Sequence, residues 1–187
     1  MNQVHCDEHG SRSGPDAGGE PHDGAAFPEE SVRGLDIAAD AIATATAEAD
    51  RAGLANTRFL VEDAAAFSAP ATFDFITAFD AIHDQGSPRR VLRNIREALR
   101  ADGVFLMVDI AASSQHECNP DNTLAPFLFT VSTMHCMTVS LARGGEGLGA
   151  CRGEEKAREL LAEAGFASVE VSRVEDDPLN GYYVCRP

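Results

Sequence analysis

The stretch that most constrains this chain is Ser31 to Ala52, SVRGLDIAADAIATATAEADRA, where a short apolar strand, Val32 to Leu35, ends in Asp36 and runs straight into a helix. The order then repeats. Thr57 to Val61 reads as a strand followed by Glu62 and Asp63, Phe73 to Phe79 as a buried strand closed by Asp80, and Val104 to Val108 as a strand closed by Asp109. Strands alternating with helical segments predict an α/β fold around a parallel sheet, with its ligand crevice at the carboxyl ends of the strands. An acid at such an end can accept both hydroxyls of a ribose, so a series of strand-end acids points to a nucleoside.

The helices between these strands have readable ends. Ala38 to Ala52 is rich in Ala and is stopped by Gly53. Ser87 followed by Pro88 is a helix start, and Val91, Leu92, Ile95, Ala98 and Leu99 recur at helical spacing toward the sheet. Arg89, Arg90, Arg93, Arg96 and Arg100 read as the solvated face, and Ala101 to Gly103 as the turn into the next strand. Glu154 to Ala164 is predicted as a helix ended by Gly165, Ser168 to Val174 as a strand, Asp176 to Gly181 as a turn, and Tyr182 to Arg186 as the last strand.

The blocks GLDIAADAI, RFLVEDAAAF, FDFITAFDAIHD, VLRNIREALRADGVFLMVDI and AGFASVEV, in this order and spacing, resemble a class I S-adenosylmethionine-dependent methyltransferase over residues 31 to 187. The resemblance implies a Rossmann-like, mostly parallel sheet with an antiparallel last strand. It also implies S-adenosylmethionine as cofactor and a small molecule as methyl acceptor. Carried onto this chain, it gives Asp36, with Ile37 beside it, to the ribose, Asp63 to the adenine amino group, and Ala64 to a backbone contact with the base. Phe79 and Asp80 line the cleft. His83 and His135 become the candidate catalytic residues, as bases or acceptor-binding groups. Each assignment has a plainer counterpart: a first-turn helix acid for Asp36, a solvated strand end for Asp63, a partly exposed loop histidine for His83, and a histidine packed between helices for His135.

The run MHCMTVSLARGGEGLG, Met134 to Gly149, resembles a bacterial subgroup of these enzymes that carries a winged-helix domain before the catalytic one. That subgroup has an aromatic residue near Arg152, where this chain has Cys151 and Arg152. The larger departure lies upstream. The family's first strand and glycine-rich loop, expected before Ser31, are read as missing, and Ala25 to Pro28 resembles the end of the helix that would follow them. Residues 1 to 24 are predicted to be disordered, since Gly, Asp, Glu, Ser and Pro dominate them and Val4 is almost their only bulky aliphatic. Residues 25 to 187 then form an incomplete domain, with a helical insertion at about 111 to 153 in which Thr123 to Leu141 covers the cleft.

Thirty acidic against fifteen basic side chains give a net charge of −15, which disfavours nucleic acid and anionic membrane as partners. Five cysteines without a CxxC pair fit reduced thiols and a cytoplasmic location, and no zinc spacing appears, so no metal ligands are assigned. His5, Cys6, Asp7, Glu8 and His9 carry ligand chemistry, but a flexible segment would not orient them. No apolar run is expected to approach membrane-spanning length. Two functions follow: a methyltransferase acting on a small molecule, or a non-catalytic remnant that binds a nucleoside weakly or a protein partner. In the second case, unpaired strand edges would allow two copies to form a homodimer.

Overall fold

The computed structural model describes residues 4–8, 30–113 and 124–187, and for 4–8 the backbone and its pairing alone. Strands β1 (Val4–Glu8), β2 (Ser31–Asp36), β3 (Thr57–Val61), β4 (Phe73–Phe79), β5 (Leu99–Ile110), β6 (Ser168–Val174) and β7 (Asp177–Arg186) form one sheet in the order β3-β2-β1-β4-β5-β7-β6. β2 pairs parallel with β3 and β4 with β5, while β7 runs antiparallel between β5 and β6. Five of the seven strands, β2 to β6, therefore point the same way, and β1 and β7 oppose them. The sheet is the mostly parallel one expected, with its antiparallel last strand.

The strand between β2 and β4 corrects the sequence reading. That slot, whose usual strand is read as missing from the chain, holds β1, which is antiparallel to both neighbours: Val4 faces Leu35 and Ala78, and Asp7 faces Val32 and Phe75. The prediction of disorder fails for Val4–Glu8, and the remainder of residues 1 to 24, with Ala25 to Pro28, lies outside the described residues. The physical reason is the ladder on either side. Two flanking strands with open hydrogen-bonding edges can hold a short segment of weak strand propensity, because each buried unpaired group would otherwise cost about 1 to 3 kcal/mol.

Helix α1 (Ala39–Ala52) buries Ile42, Ala45 and Ala49 and ends at Gly53, whose φ of 72° lets its N–H reach back to the last carbonyls. Helix α2 (Pro88–Ala98) has proline in its first turn and buries Val91, Leu92, Ile95 and Ala98, as the spacing predicts, although Ser87 makes no side-chain cap bond. Of the arginines read as the solvated face, Arg90 and Arg93 are exposed as expected, while the other three are half-buried and paired. Arg89 pairs with Glu146 and Glu163, Arg96 Nε donates to the Gly165 carbonyl, and Arg100, at the start of β5, pairs with Asp74 at 2.6 Å. β5 begins at Leu99, so the expected turn at Ala101 to Gly103 lies inside the strand, where its register with β4 shifts. Likewise β7 begins at Asp177, leaving Glu175 and Asp176 as the turn.

In the insertion, α3 (Ala125–Val131) and α4 (Met137–Ala142) are joined by a π-helical turn, Ser132–Cys136. The combined stretch Ala125–Ala142 is 18 residues long with mean hydropathy 1.3, long and apolar enough to cross a membrane by length and composition. The expectation that no run approaches that length is therefore withdrawn. Helix α5 (Gly153–Ala164) follows. The main core lies where α2 and α5 meet the sheet: Phe73, Ile76, Phe105, Met107, Tyr183 and Cys185 close on Val91, Leu92, Ile95, Leu160 and Leu161. Each large apolar side chain buried there stabilises the fold by about 1.5 to 3 kcal/mol.

Candidate functional site

At the carboxyl edge β2 and β3 end side by side, and the Glu62 N–H donates to the Asp36 carbonyl at 3.0 Å. Asp36 is buried, and its Oδ1 accepts the Ala38 N–H at 2.7 Å, which fixes the turn into α1. Asp63 is exposed; its Oδ1 takes the Ala65 N–H at 2.8 Å and its carbonyl takes those of Ala66 and Phe67. Asn94 of α2 donates to the carbonyls of Ala64 and Ala65, pinning the loop on which Ala64 stands. Both acids close turns locally on neighbouring strands that bring them to one edge, but Asp36 lies ahead of the helix, whose N-cap is Ala38 without a side-chain bond and whose first-turn acid is Asp40. Ile37 and Phe79, 49% and 42% exposed, present apolar surface at the ends of β2 and β4.

Asp80 follows Phe79 with φ 46°, a left-handed conformation that its N–H secures by donating to the Val108 carbonyl at 3.0 Å. Its side chain is accessible, yet the packing around its carboxyl, and then the charge of Asp109, push its pKa upward. His83 lies deeper. It is 4% exposed rather than a partly exposed loop residue, and its Nδ1 is 2.7 Å from Asp109 Oδ1 while Nε2 is 3.3 Å from Asp84 Oδ1. Burial alone would lower the imidazole pKa, but the hydrogen bond to Asp109 and its charge override that and lift it to about 10. The ring therefore carries its proton at neutral pH.

Asp109 is the hub of this cluster. Its Oδ2 accepts from Arg152 Nη1 at 2.5 Å, and although burial would raise its pKa, the Arg152 charge and the His83 bond hold it below the usual range. Arg152 is as buried as its partner, and its Nη2 lies 3.5 Å from Met107 Sδ. Sequence reasoning treated Arg152 as a local departure and did not single out Cys136, which faces His83 from the π-helical turn and helps raise its pKa. The two lie far from β5 in the chain, and no spacing rule links them to it. His135, next to Cys136, is exposed rather than packed between helices.

Among the described residues, a cavity of about 180 Å³ between Ala65 to Pro70 and the Arg90, Asn94 and Glu97 side of α2 contains none of the strand-end acids. It is smaller than the roughly 300 Å³ at which small-molecule sites begin. The edge itself suits the nucleoside half of a class I methyl donor, with acids at adjacent strand ends and apolar side chains beside them. The methionine half is less well served. Because β1 runs in reverse, Val4 rather than Glu8 lies at the carboxyl edge, and no glycine-rich turn is found there among the described residues.

A mostly parallel sheet with an antiparallel final strand, and acids closing successive strands at one edge, is the class I methyltransferase fold, from which the reversed β1 departs. A methyltransferase-domain family model matches residues 22–172, and the chain belongs to that family. A comparison with curated protein sequences gives no match. Among solved structures, the chain resembles PigF with SAH (16% identity, TM-score 0.64, covering 87% of this chain and 45% of that one). It is similar to a SAM-dependent methyltransferase from Aquifex aeolicus (17%, TM-score 0.54, 82% and 67%). An O-methyltransferase family protein from Burkholderia thailandensis shares 14% identity at TM-score 0.53, with 79% and 40% covered. At these identities the likeness establishes the fold, and the chain spans about half the length of several such neighbours.

Proposed function

We propose that this chain holds S-adenosylmethionine at the carboxyl edge of β2, β3 and β4 and transfers its methyl group to a small-molecule acceptor. The observation that carries the reading is the placement of Asp36 and Asp63 on adjacent strand ends beside exposed Ile37 and Phe79. In this reading Asp36 receives a ribose hydroxyl on its Oδ2, since Oδ1 is committed to Ala38, and Asp63 receives the adenine amino group next to Ala64. Ile37 and Phe79 enclose the base. When bound, the cofactor supplies a sulfonium-activated methyl, so the protein's main task is to align the acceptor. Asp80, at the mouth with a raised pKa, is placed to take a proton from an oxygen acceptor, and His83, held between carboxylates, positions the loop. In this reading His135, exposed on the π-helical turn, is an acceptor-binding group. A cytoplasmic site of action, supported by cysteines without a CxxC pair, remains part of this reading, and the net charge of −15 supports an acceptor other than nucleic acid.

The test is titration calorimetry with S-adenosylmethionine and S-adenosylhomocysteine. Asp36→Asn keeps an oxygen for the Ala38 N–H and loses the charge, so it should weaken both ligands at least tenfold, about 1.4 kcal/mol. No heat from either ligand at millimolar concentration, on folded protein, overturns the proposal. Binding without turnover on any acceptor tested would favour a nucleoside-binding module instead. The reversed β1 is the observation on the side of that second reading.

A further inference from the structure

The loop after β4 and the π-helical turn of the insertion bring three ligand-bearing side chains into one buried spot. His83, Asp84 and Cys136 are each buried, and one ligand atom from each lies within 4.8 Å of the other two. We propose that these three side chains bind a transition-metal cation of the zinc type, independently of methyl transfer. An imidazole nitrogen, a carboxylate oxygen and a thiolate are the donors such an ion takes.

Three features beyond proximity support this. The first is the edge length. With bonds of about 2.0 to 2.1 Å, two ligands of a tetrahedral zinc stand about 3.3 Å apart, and His83 Nε2 and Asp84 Oδ1 are 3.3 Å apart. The second is the outer partner. His83 Nδ1 is 2.7 Å from Asp109, itself held by Arg152, the carboxylate-to-imidazole arrangement that fixes ring orientation and tautomer in metal sites and leaves Nε2 for the ion. The third is the backbone that delivers the sulfur. Cys136 closes a π-helical turn, Ser132–Cys136, a wide turn that is frequent at functional sites. The ion would replace the proton on Nε2, which faces Asp84 Oδ1 at 3.3 Å, and three protein ligands leave a fourth corner for water.

The ligand numbers, 83, 84 and 136, explain why no metal spacing was visible in the chain. Only the return of the insertion over the β4 loop brings the thiol to the histidine. The neighbouring set of Asp80, His83 and Asp109 is the weaker one, because Arg152 already occupies Asp109.

The full chain, stripped of metal with a chelator, is titrated with Co²⁺ and then Zn²⁺. One equivalent of Co²⁺ should give tetrahedral d–d absorption together with a thiolate-to-cobalt charge-transfer band, and Zn²⁺ should displace it. Cys136→Ser should abolish the charge-transfer band and weaken Zn²⁺ at least tenfold, whereas Cys151→Ser, also buried in the insertion, should keep both. No binding at micromolar Co²⁺ overturns the proposal, as does a charge-transfer band that survives Cys136→Ser. Should that variant not fold, X-ray absorption of the Zn²⁺-loaded wild-type chain decides instead: one sulfur at about 2.3 Å with nitrogen and oxygen neighbours supports the site, and a shell without sulfur refutes it.

Discussion

At the scale of single residues, removing one member of the buried charge network around Asp109 should cost the fold more than removing an exposed acid such as Asp63. Asp109, His83 and Arg152 are all nearly inaccessible, and each of the outer two satisfies one oxygen of the carboxylate between them. Replacing Arg152 with Met keeps most of the apolar stem but takes from Asp109 Oδ2 its guanidinium partner, leaving His83 and the Ile110 N–H on Oδ1. The loss should be about 3 kcal/mol or more, read as a lower urea midpoint at unchanged slope. Asp109→Asn should recover part of that loss in the Arg152→Met background, because the uncompensated charge is then gone; strict additivity of the two substitutions would show the pair to be uncoupled. Here the sequence was half legible. Asp109 stood out as a strand-end acid because strand and acid are adjacent in the chain. Its partner is 43 residues away across the insertion and had no local signature, so Arg152 looked like a misfit where an aromatic residue was expected.

At the scale of elements, legibility follows how much of an element's stability is local. β3 and β4 have the bounds read from the chain, and α1 begins one residue later than read. Apolar pattern, helix propensity and stop signals all agree in those stretches. β1 was not legible because VHCDE has one strong strand former, Val4, and is followed by polar residues, and its pairing comes entirely from β2 and β4. Proline at Cys6, the middle of that strand, removes a ladder donor where both sides are paired. Cys6→Pro should cost about 1 to 3 kcal/mol for each carbonyl left unpaired, and unchanged denaturant stability would mean that β1 does not occupy the centre of the sheet. β7 offers a separate check through pH. The Cys185 thiol is fully buried, and burial pushes its pKa from the ordinary 9.0 to about 12. The folded state thus prefers the protonated thiol. Its contribution is complete below pH 9, where the unfolded chain also keeps the proton, and declines as pH rises from 9 toward 12. Cys185→Val, similar in volume, should flatten that alkaline decline in a series of urea melts. An unchanged slope would assign the decline to other groups.

At the scale of the whole molecule, the balance of thirty acidic and fifteen basic residues leaves an excess of fifteen negative charges on a chain of 187 residues. Surface pairs such as Arg89 with Glu146 and Arg158 with Glu154 are each worth about 0 to 1 kcal/mol and weaken in salt. The repulsion among the excess acids also weakens, and because it sums over the whole surface it is the larger effect. Sodium chloride raised from about 10 mM to about 300 mM shortens the Debye length several-fold, so the melting temperature should rise. A fall would show that local pairs outweigh the overall repulsion. The buried network supplies an internal control. Asp109 and Arg152 are shielded from mobile ions by the protein around them, so the stability difference between wild type and Arg152→Met should be the same at both salt concentrations even as both midpoints move. If the difference shrinks in salt, water and ions reach Asp109, and the insertion does not close over the β4 loop as tightly as the network requires.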